Sequence, residues 1–445
     1  MKPFSFHELV GELRSPLETF PDPRTGKNRR YSIVDAGLGA FSVFFTQSPS
    51  FLFHQAYMQE MKGKNNANSL FNIEIIPTIS HTRKLLDSVH PKLLDPLFYS
   101  IFDQLETDGY LDEFRDFQDD VLVLFDGTQY FSSKNISCKH CSTKDHKNGT
   151  TTYSHTALTP VIAAPHKNYI IPLAPEYISP QDGHDKQDCE TAAAKRWIEQ
   201  HAASYAPKRV TILGDDLYSR QPLCECLLTN NFNFIFVCKP ESHQTLYCYL
   251  EDLQYEESIH QLTLYRSSGK VKEKYIYRYA NQVPLRDSDD ALYLNWCEVT
   301  QVNAKGDVVY HNSFLTNHDI TRKTVCKIVT SGRTRWKIEN ENNNILKTKG
   351  YHLEHNFGHG KKYLSSLLAS LNILAFLFHT ILGIVDNKYH EIRQALPTRQ
   401  TFFDDVRALT RYLFFSSWDD LLDFMIKGLQ LDLDIAREIS SFDTS

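Results

Sequence analysis

Glycine and proline are both sparse in this chain, at 18 each among 445 residues. That excludes the collagen-like class and the Pro/Gly-rich disordered class. No stretch is of low complexity, and no segment repeats another. The nine cysteines are odd in number and scattered, so they do not form the framework of a secreted disulfide scaffold. A basic excess is also missing. The net charge is −6, which argues against a protein that merely coats nucleic acid by neutralising phosphates. The opening residues, MKPFSFHELVGELRSP, lack a long apolar core behind a basic start and lack a small-residue cleavage site. These absences lead to the expectation of a cytoplasmic protein with reduced thiols.

What is present fits a globular protein of two or three packed units, since 445 residues exceed one ordinary core. One run from Tyr363 to Val385 is apolar and about long enough to cross a bilayer. Ser365, Ser366, Ser370, Asn372, His379 and Thr380 interrupt it, and Lys361, Lys362, Asp386 and Lys388 flank it. It therefore reads as the buried core helix of a protein without a membrane segment.

Apolar spacing divides the chain. Residues 1–115 read as a helical N-terminal region with possible DNA binding, built on FSFHELVGELR, SIVDAGLGAFSVFFTQ, HTRKLLDSVH and PLFYSIFDQLE. Loop cations there (Arg24, Lys27, Arg29, Arg30, Lys62 and Lys64) suit either a DNA backbone or plain solvation. Residues 116–244 turn to β: VLVLFD, then TTYSHTALTPVIAA and KNYIIPLAPE, an Ala-rich helix, RVTILGDD, a second helix, and NFNFIFVCK. Three strands, helix, strand, helix, strand is the order of an RNase H-like core. Residues 245–317 are rich in β-branched and aromatic side chains and read as a β-rich insertion. Residues 318–385 return to helix and would complete the core, and 386–445 form a helical C-terminal region. The predicted class is α/β, a mixed-sheet RNase H-like core with a β-rich insertion and a helical N-terminal region.

Three carboxylates share a logic. Asp126 ends the first buried strand, Asp215 ends the RVTILGDD strand, and Glu339 lies on a predicted helix after the insertion. Strand ends in an open sheet border its functional crevice, and hard divalent cations there need oxygen ligands from several segments. Either Asp taken alone reads more readily as a turn or helix cap than as a ligand. Around Glu339 the local charge reverses: from Thr321 to Ser365 there are ten basic residues and three acidic ones, a balance suited to a polyanion.

The combination resembles the insertion-sequence transposases of the Asp-Asp-Glu, RNase H-like class, in the branch with a large β insertion before the Glu. VLVLFDGT matches the first Asp in its D-x-T setting with Asp126, Gly127 and Thr128. TILGDDLYSR offers Asp215, with Tyr218 as the family's aromatic, or Asp216; with Asp215 as ligand, Asp216 would cap the next helix. The third signature is Tyr, two residues, Arg, three residues, Glu, six residues, Lys. TRWKIENENNNILK supplies Arg335 and Glu339 at that interval, but Gly332 stands in the Tyr place and Leu346 in the Lys place, with Lys347 one step on. A simple i,i+4 ion pair is the other reading of Arg335 and Glu339.

The resemblance implies a DNA transposase that cuts element ends and joins them to target DNA, as a homodimer on DNA. Asp126, Asp215 and Glu339 would hold Mg²⁺, with Mn²⁺ substituting. Arg335, Lys347, Arg333 and Lys337 would contact DNA. The alternatives are an RNase H-like metallonuclease without strand transfer, or a domesticated DNA-binding protein. Two further features stay outside that scheme. The CKHC run of Cys138 and Cys141, with His140, His146, His155 and Cys189 nearby, is a partial zinc pattern without a second pair, so reduced thiols are the default reading. His352, His355 and His359 in YHLEHNFGHGKKYL suit a DNA-contacting turn or a solvated loop.

Overall fold

A computed structural model describes residues 4–26, 29–59, 65–180, 189–268 and 271–432. Lys27, Lys62 and Lys64, and residues 433–445 of the C-terminal region, lie outside the described residues. The N-terminal region folds into α1 (Phe6–Glu18), α2 (Ile33–Phe45), α3 (Phe51–Met58), α4 (Asn66–Phe71), α5 (Ile79–Leu86) and α6 (Asp95–Thr107). Two capping boxes, Ser5 with Glu8 and Ser32 with Asp35, start α1 and α2 by satisfying backbone N–H groups that a helix leaves free. The sequence reading missed α3 and α4, which begin at the side-chain caps Ser50 and Asn65.

The strands are β1 (Val121–Leu124), β2 (Gly127–Ser133), β3 (Ser142–Asp145), β4 (Thr151–Leu158), β5 (Val161–Ala163), β6 (Ile171–Pro172) and β7 (Glu176–Ile178). After α7 (Glu190–Tyr205) come β8 (Val210–Gly214), α8 (Gln221–Thr229) and β9 (Asn233–Val237). The 245–317 segment, read above as β-rich, opens on a helix, α9 (Gln244–Tyr255). It continues as β10 (His260–Ser268), β11 (Val271–Pro284), β12 (Tyr293–Val302) and β13 (Val308–Thr316).

One nine-stranded mixed sheet runs in the order β10-β11-β12-β13-β9-β8-β1-β5-β6. β8 and β9 are parallel to β1 on one side, and β5 and β6 follow antiparallel on the other. β13 pairs antiparallel with β9, Leu315 opposite Phe236, so the insertion lengthens the core sheet instead of projecting from it. Phe234 and Phe236 lie beside β8, opposite Ile212 and Gly214, and Val237 pairs with Phe314 of β13. A second sheet joins β2, β4, β3 and β7. TTYSHTALTPVIAA, read above as one strand, is divided between the two sheets at Thr159 and Pro160. Proline supplies no N–H to a ladder, so a sheet change is well placed there.

The chain then forms α10 (Val325–Arg333), a π-helical stretch Ile338–Asn343, α11 (Asn344–Thr348), α12 (Leu364–Val385), α13 (Asn387–Ala395), α14 (Arg399–Tyr412) and α15 (Trp418–Leu429). The apolar helix α12 packs against α2 and β6 and is buried along most of its length, from Leu367 to Leu382. Its polar residues find partners there. Asn372 donates to the Tyr351 carbonyl at 2.8 Å, and His379 Nδ1 lies 2.6 Å from the Tyr351 hydroxyl. Phe41 and Phe378 meet edge-on at 5.0 Å, which joins the N-terminal helices to the same continuous core as the sheet.

Candidate active site

β1 and β8 are wholly buried and parallel, with Leu124 opposite Leu213. The Phe125 N–H donates to the Leu213 carbonyl at 2.8 Å, so the pairing holds to the strand ends. Continuing that register places Asp126 level with Asp215, just beyond the carboxyl ends of two adjacent strands. Asp216 falls one residue out of step. Its Oδ1 accepts from the Lys239 backbone N–H at 2.6 Å and faces His243 Nε2 at 3.7 Å. It therefore does not cap α8, whose N-cap position is Arg220. Asp216 thus turns toward the residues that follow β9, whereas Asp215 accepts from its own turn, the Leu217 N–H at 2.8 Å.

The third segment is π-helical where an α-helix was expected. The Asn344 N–H reaches back to the Glu339 carbonyl, five residues earlier. This wider turn sets Asn343 against Asp126: Asn343 Nδ2 donates to Asp126 Oδ2 at 2.8 Å. The amide is itself fixed, since Asn343 Oδ1 accepts from the Thr159 hydroxyl at 3.2 Å and from Asn342 at 3.0 Å. The Thr159 N–H in turn donates to the Asp126 carbonyl at 3.1 Å.

A fourth carboxylate, unread in the sequence, comes from the first turn of α7. Glu190 Oε1 accepts from the Gly127 N–H at 2.9 Å and from the hydroxyl of the buried Tyr218. A Cβ on Gly127 would stand 2.3 Å from Glu190 Oε2, so the absence of a side chain there is what admits this carboxylate.

Burial, followed by the negative charges of Glu190, Glu339 and Asp215, pushes the Asp126 carboxyl up to about 7, with Arg335 acting in the opposite sense. Asp126 thus feels the other three carboxylates together. Carboxylate oxygens are the donors that a hard divalent cation takes, and a cation's charge would relieve that repulsion, although among the described residues these four do not gather into a ready ligand group.

The predicted DNA contacts divide. Arg335 pairs with Glu339 at 3.1 Å and stays partly exposed, so the plain i,i+4 ion pair exists. The Arg333 guanidinium lies 4.1 Å over the Tyr310 ring on an exposed face. Lys347 pairs with Glu354 at 3.0 Å. Lys337 is buried, and its ammonium is hydrogen-bonded to the Lys167 carbonyl. Half-exposed Trp336 stands beside it.

Away from these carboxylates, Cys138, Cys141, His155 and His359 bring their donor atoms within 4.8 Å of one another. Compared with protein-family models and with curated proteins, the chain matches none.

Proposed function

We propose that this chain is a cytoplasmic Asp-Asp-Glu transposase of the RNase H-like class, which cuts DNA at element ends and joins the freed 3′-hydroxyl to target DNA as a homodimer. The observation that carries the reading is the level placement of Asp126 and Asp215 beyond parallel β1 and β8, with Glu339 near enough for its charge to act on Asp126. The order β6-β5-β1-β8-β9 supports it. Its first three strands are antiparallel neighbours and the last two run parallel to the first, with α7 and α8 between, as in RNase H-like cores.

Asp126, Asp215 and Glu339 would hold the cation, with Glu190 adding charge at the back of the site. Mg²⁺, or Mn²⁺ in its place, supplies the Lewis acidity that phosphodiester hydrolysis and 3′-hydroxyl attack require. Asn343 holds Asp126 in one orientation. With Glu339 holding the cation, Arg335 would be left to present its planar fork to a DNA phosphate. Arg333 and Lys347 add positive charge on the same stretch of chain.

The test uses the full chain, Mg²⁺ and labelled duplexes copied from the inverted repeats that a transposon carries on either side of its coding region. Wild type should nick these ends and join them to a plasmid. Glu339→Gln keeps the shape and removes the charge, so cleavage should fall at least 100-fold, on the order of a lost catalytic group, while gel-shift binding survives. Arg335→Ala should weaken binding and make its salt dependence shallower by about one counterion. Normal cleavage by Glu339→Gln overturns the site. Cleavage by wild type without any joined product replaces transposase by simple metallonuclease.

A further inference from the structure

The four Cys and His donors belong to two distant stretches of chain. Cys138 and Cys141 lie in the β2–β3 connection and His155 lies in β4, all on the small sheet. His359 comes from the segment between α11 and α12, more than two hundred residues later. The sequence shows a single CxxC and no second pair, because the remaining ligands are brought in only by the tertiary fold.

The distances are those of a coordination shell. Cys138 Sγ and Cys141 Sγ are 3.8 Å apart, and His155 Nε2 is 3.6 Å and 3.5 Å from them. His359 Nε2 is 3.5 Å from Cys141 Sγ and 3.1 Å from His155 Nε2. A tetrahedron with Zn–S near 2.3 Å and Zn–N near 2.05 Å has edges of about 3.8 Å for S···S, about 3.6 Å for S···N and about 3.4 Å for N···N. A disulfide is not present, since its sulfurs would lie about 2.05 Å apart.

Cys141, His155 and His359 are buried, and the four donor atoms all face one point, where thiol and imidazole protons link neighbours only in pairs whereas a cation takes a lone pair from each. A central cation satisfies all four.

The surroundings prepare the ligands. His359 Nδ1 lies 2.9 Å from the Gly360 carbonyl, which fixes the tautomer with Nε2 free toward the sulfurs. The Cys138 N–H points at Cys141 Sγ at 3.3 Å, a contact that favours thiolate. The His359 loop is itself anchored. Arg83 donates from Nε to the Phe357 carbonyl at 3.0 Å, and Asp87 accepts the N–H groups of Lys361 and Lys362, each at 3.0 Å. Gly360 takes φ +69° where a Cβ would meet Asp87 at 2.2 Å. Phe131 covers the imidazole of His359 at 4.4 Å, and Tyr130 stacks on that of His155 at 5.6 Å.

We propose that Cys138, Cys141, His155 and His359 bind one structural Zn²⁺ that clamps the α11–α12 connection onto the β2–β4 sheet. The site is closed, with four protein ligands and no position left for substrate, so its role is to hold structure. It stands independently of the transposase reading. Its consequence for any activity is positional: β2 follows directly from Asp126, the α11–α12 connection follows the Glu339 turn, and the zinc fixes one to the other.

The full chain, expressed without a metal-binding tag, should carry one zinc per molecule by elemental analysis. Its X-ray absorption should show two sulfur and two nitrogen ligands at about 2.3 Å and about 2.0–2.1 Å. Cobalt substitution should give a thiolate charge-transfer band that Cys141→Ser abolishes and Cys248→Ser, at an exposed cysteine far along the chain, retains. The absorption measurement uses wild type alone, so misfolding of a variant leaves the test intact. Zinc-free protein with four unligated donors, a Cys138–Cys141 disulfide by mass, or a zinc shell without sulfur would each overturn the proposal.

Discussion

Asn343 shows how much a neutral side chain can contribute to a charged site. Asp126 is half-buried among like charges, and its only direct side-chain donor among the described residues is the Asn343 amide. That amide cannot turn away, because Thr159 and Asn342 occupy its oxygen. Partners of this kind orient a metal ligand, and their loss typically costs about 10- to 100-fold in metal affinity or activity. Asn343→Ala should therefore raise the Mg²⁺ concentration for half-maximal cleavage by a factor in that range, with end binding in gel shift unchanged. An unaltered Mg²⁺ titration would show the contact to be structural only. Asp126, Asp215 and Glu339 were legible as candidates because apolar strands end on two of them and a fixed interval ties the third to Arg335. Glu190 and Asn343 carry no such local mark. One is an ordinary first-turn Glu and the other one of three consecutive Asn residues, and each reaches Asp126 only through packing of segments distant in sequence.

At the scale of elements, α10 explains one departure from the transposase pattern. Gly332 stands in the Tyr place, and a Cβ there would lie 2.7 Å from Phe314 and 3.1 Å from Ile235, both buried side chains of β13 and β9. Helix and sheet approach too closely for any side chain. Gly332→Ala should cost about 1–3 kcal/mol of stability through overpacking. Gly11→Ala, on the exposed face of α1 with nothing within 4 Å, should instead gain about 0.5–1 kcal/mol. Urea midpoints of the two variants check both signs, and equal effects would refute the packing argument. Elements with strong periodicity, such as α1, α2, α12, β1 and β8, were legible from apolar spacing alone. The readings that failed did so for physical reasons. Pro160 divided one β-rich run between two sheets, and α9 hid in a stretch of aromatic and β-branched composition. The π turn at Glu339 has the same apolar positions as an α-helix, and only its docking on Asp126 and Thr159 distinguishes them.

Across the whole molecule, the helical layer meets the sheet at a polar joint built on Asp95. This residue begins α6, is 6% exposed, and accepts from Gln200 of α7 at 2.8 Å. Lys92 bridges from the same corner to Glu176 of β7 at 3.1 Å, and Arg196 reaches Glu176 from the other side at 2.8 Å. Burial, opposed by Lys92 and reinforced by Glu176, pushes the Asp95 carboxyl up to about 7. A carboxyl raised in the folded state takes up its proton more readily there than in the unfolded chain. Its contribution to stability is therefore complete below the ordinary value of 3.8 and is lost as pH rises through about 7. Asp95→Asn keeps the acceptor for Gln200 and removes the buried charge. Relative to wild type, the variant should gain stability steadily between pH 4 and pH 7, by up to roughly 4 kcal/mol, and hold that gain at higher pH. Other titrating groups, including the buried His54 and His201 whose pKa values burial lowers to about 3, are common to both proteins and cancel in the difference. Urea unfolding of the pair at pH 4.5 and pH 8 reads the effect directly. A difference between the two proteins that is the same at both pH values would mean that the joint carries no buried negative charge, and that the layers are held by packing such as Phe102 against Tyr205 at 4.8 Å.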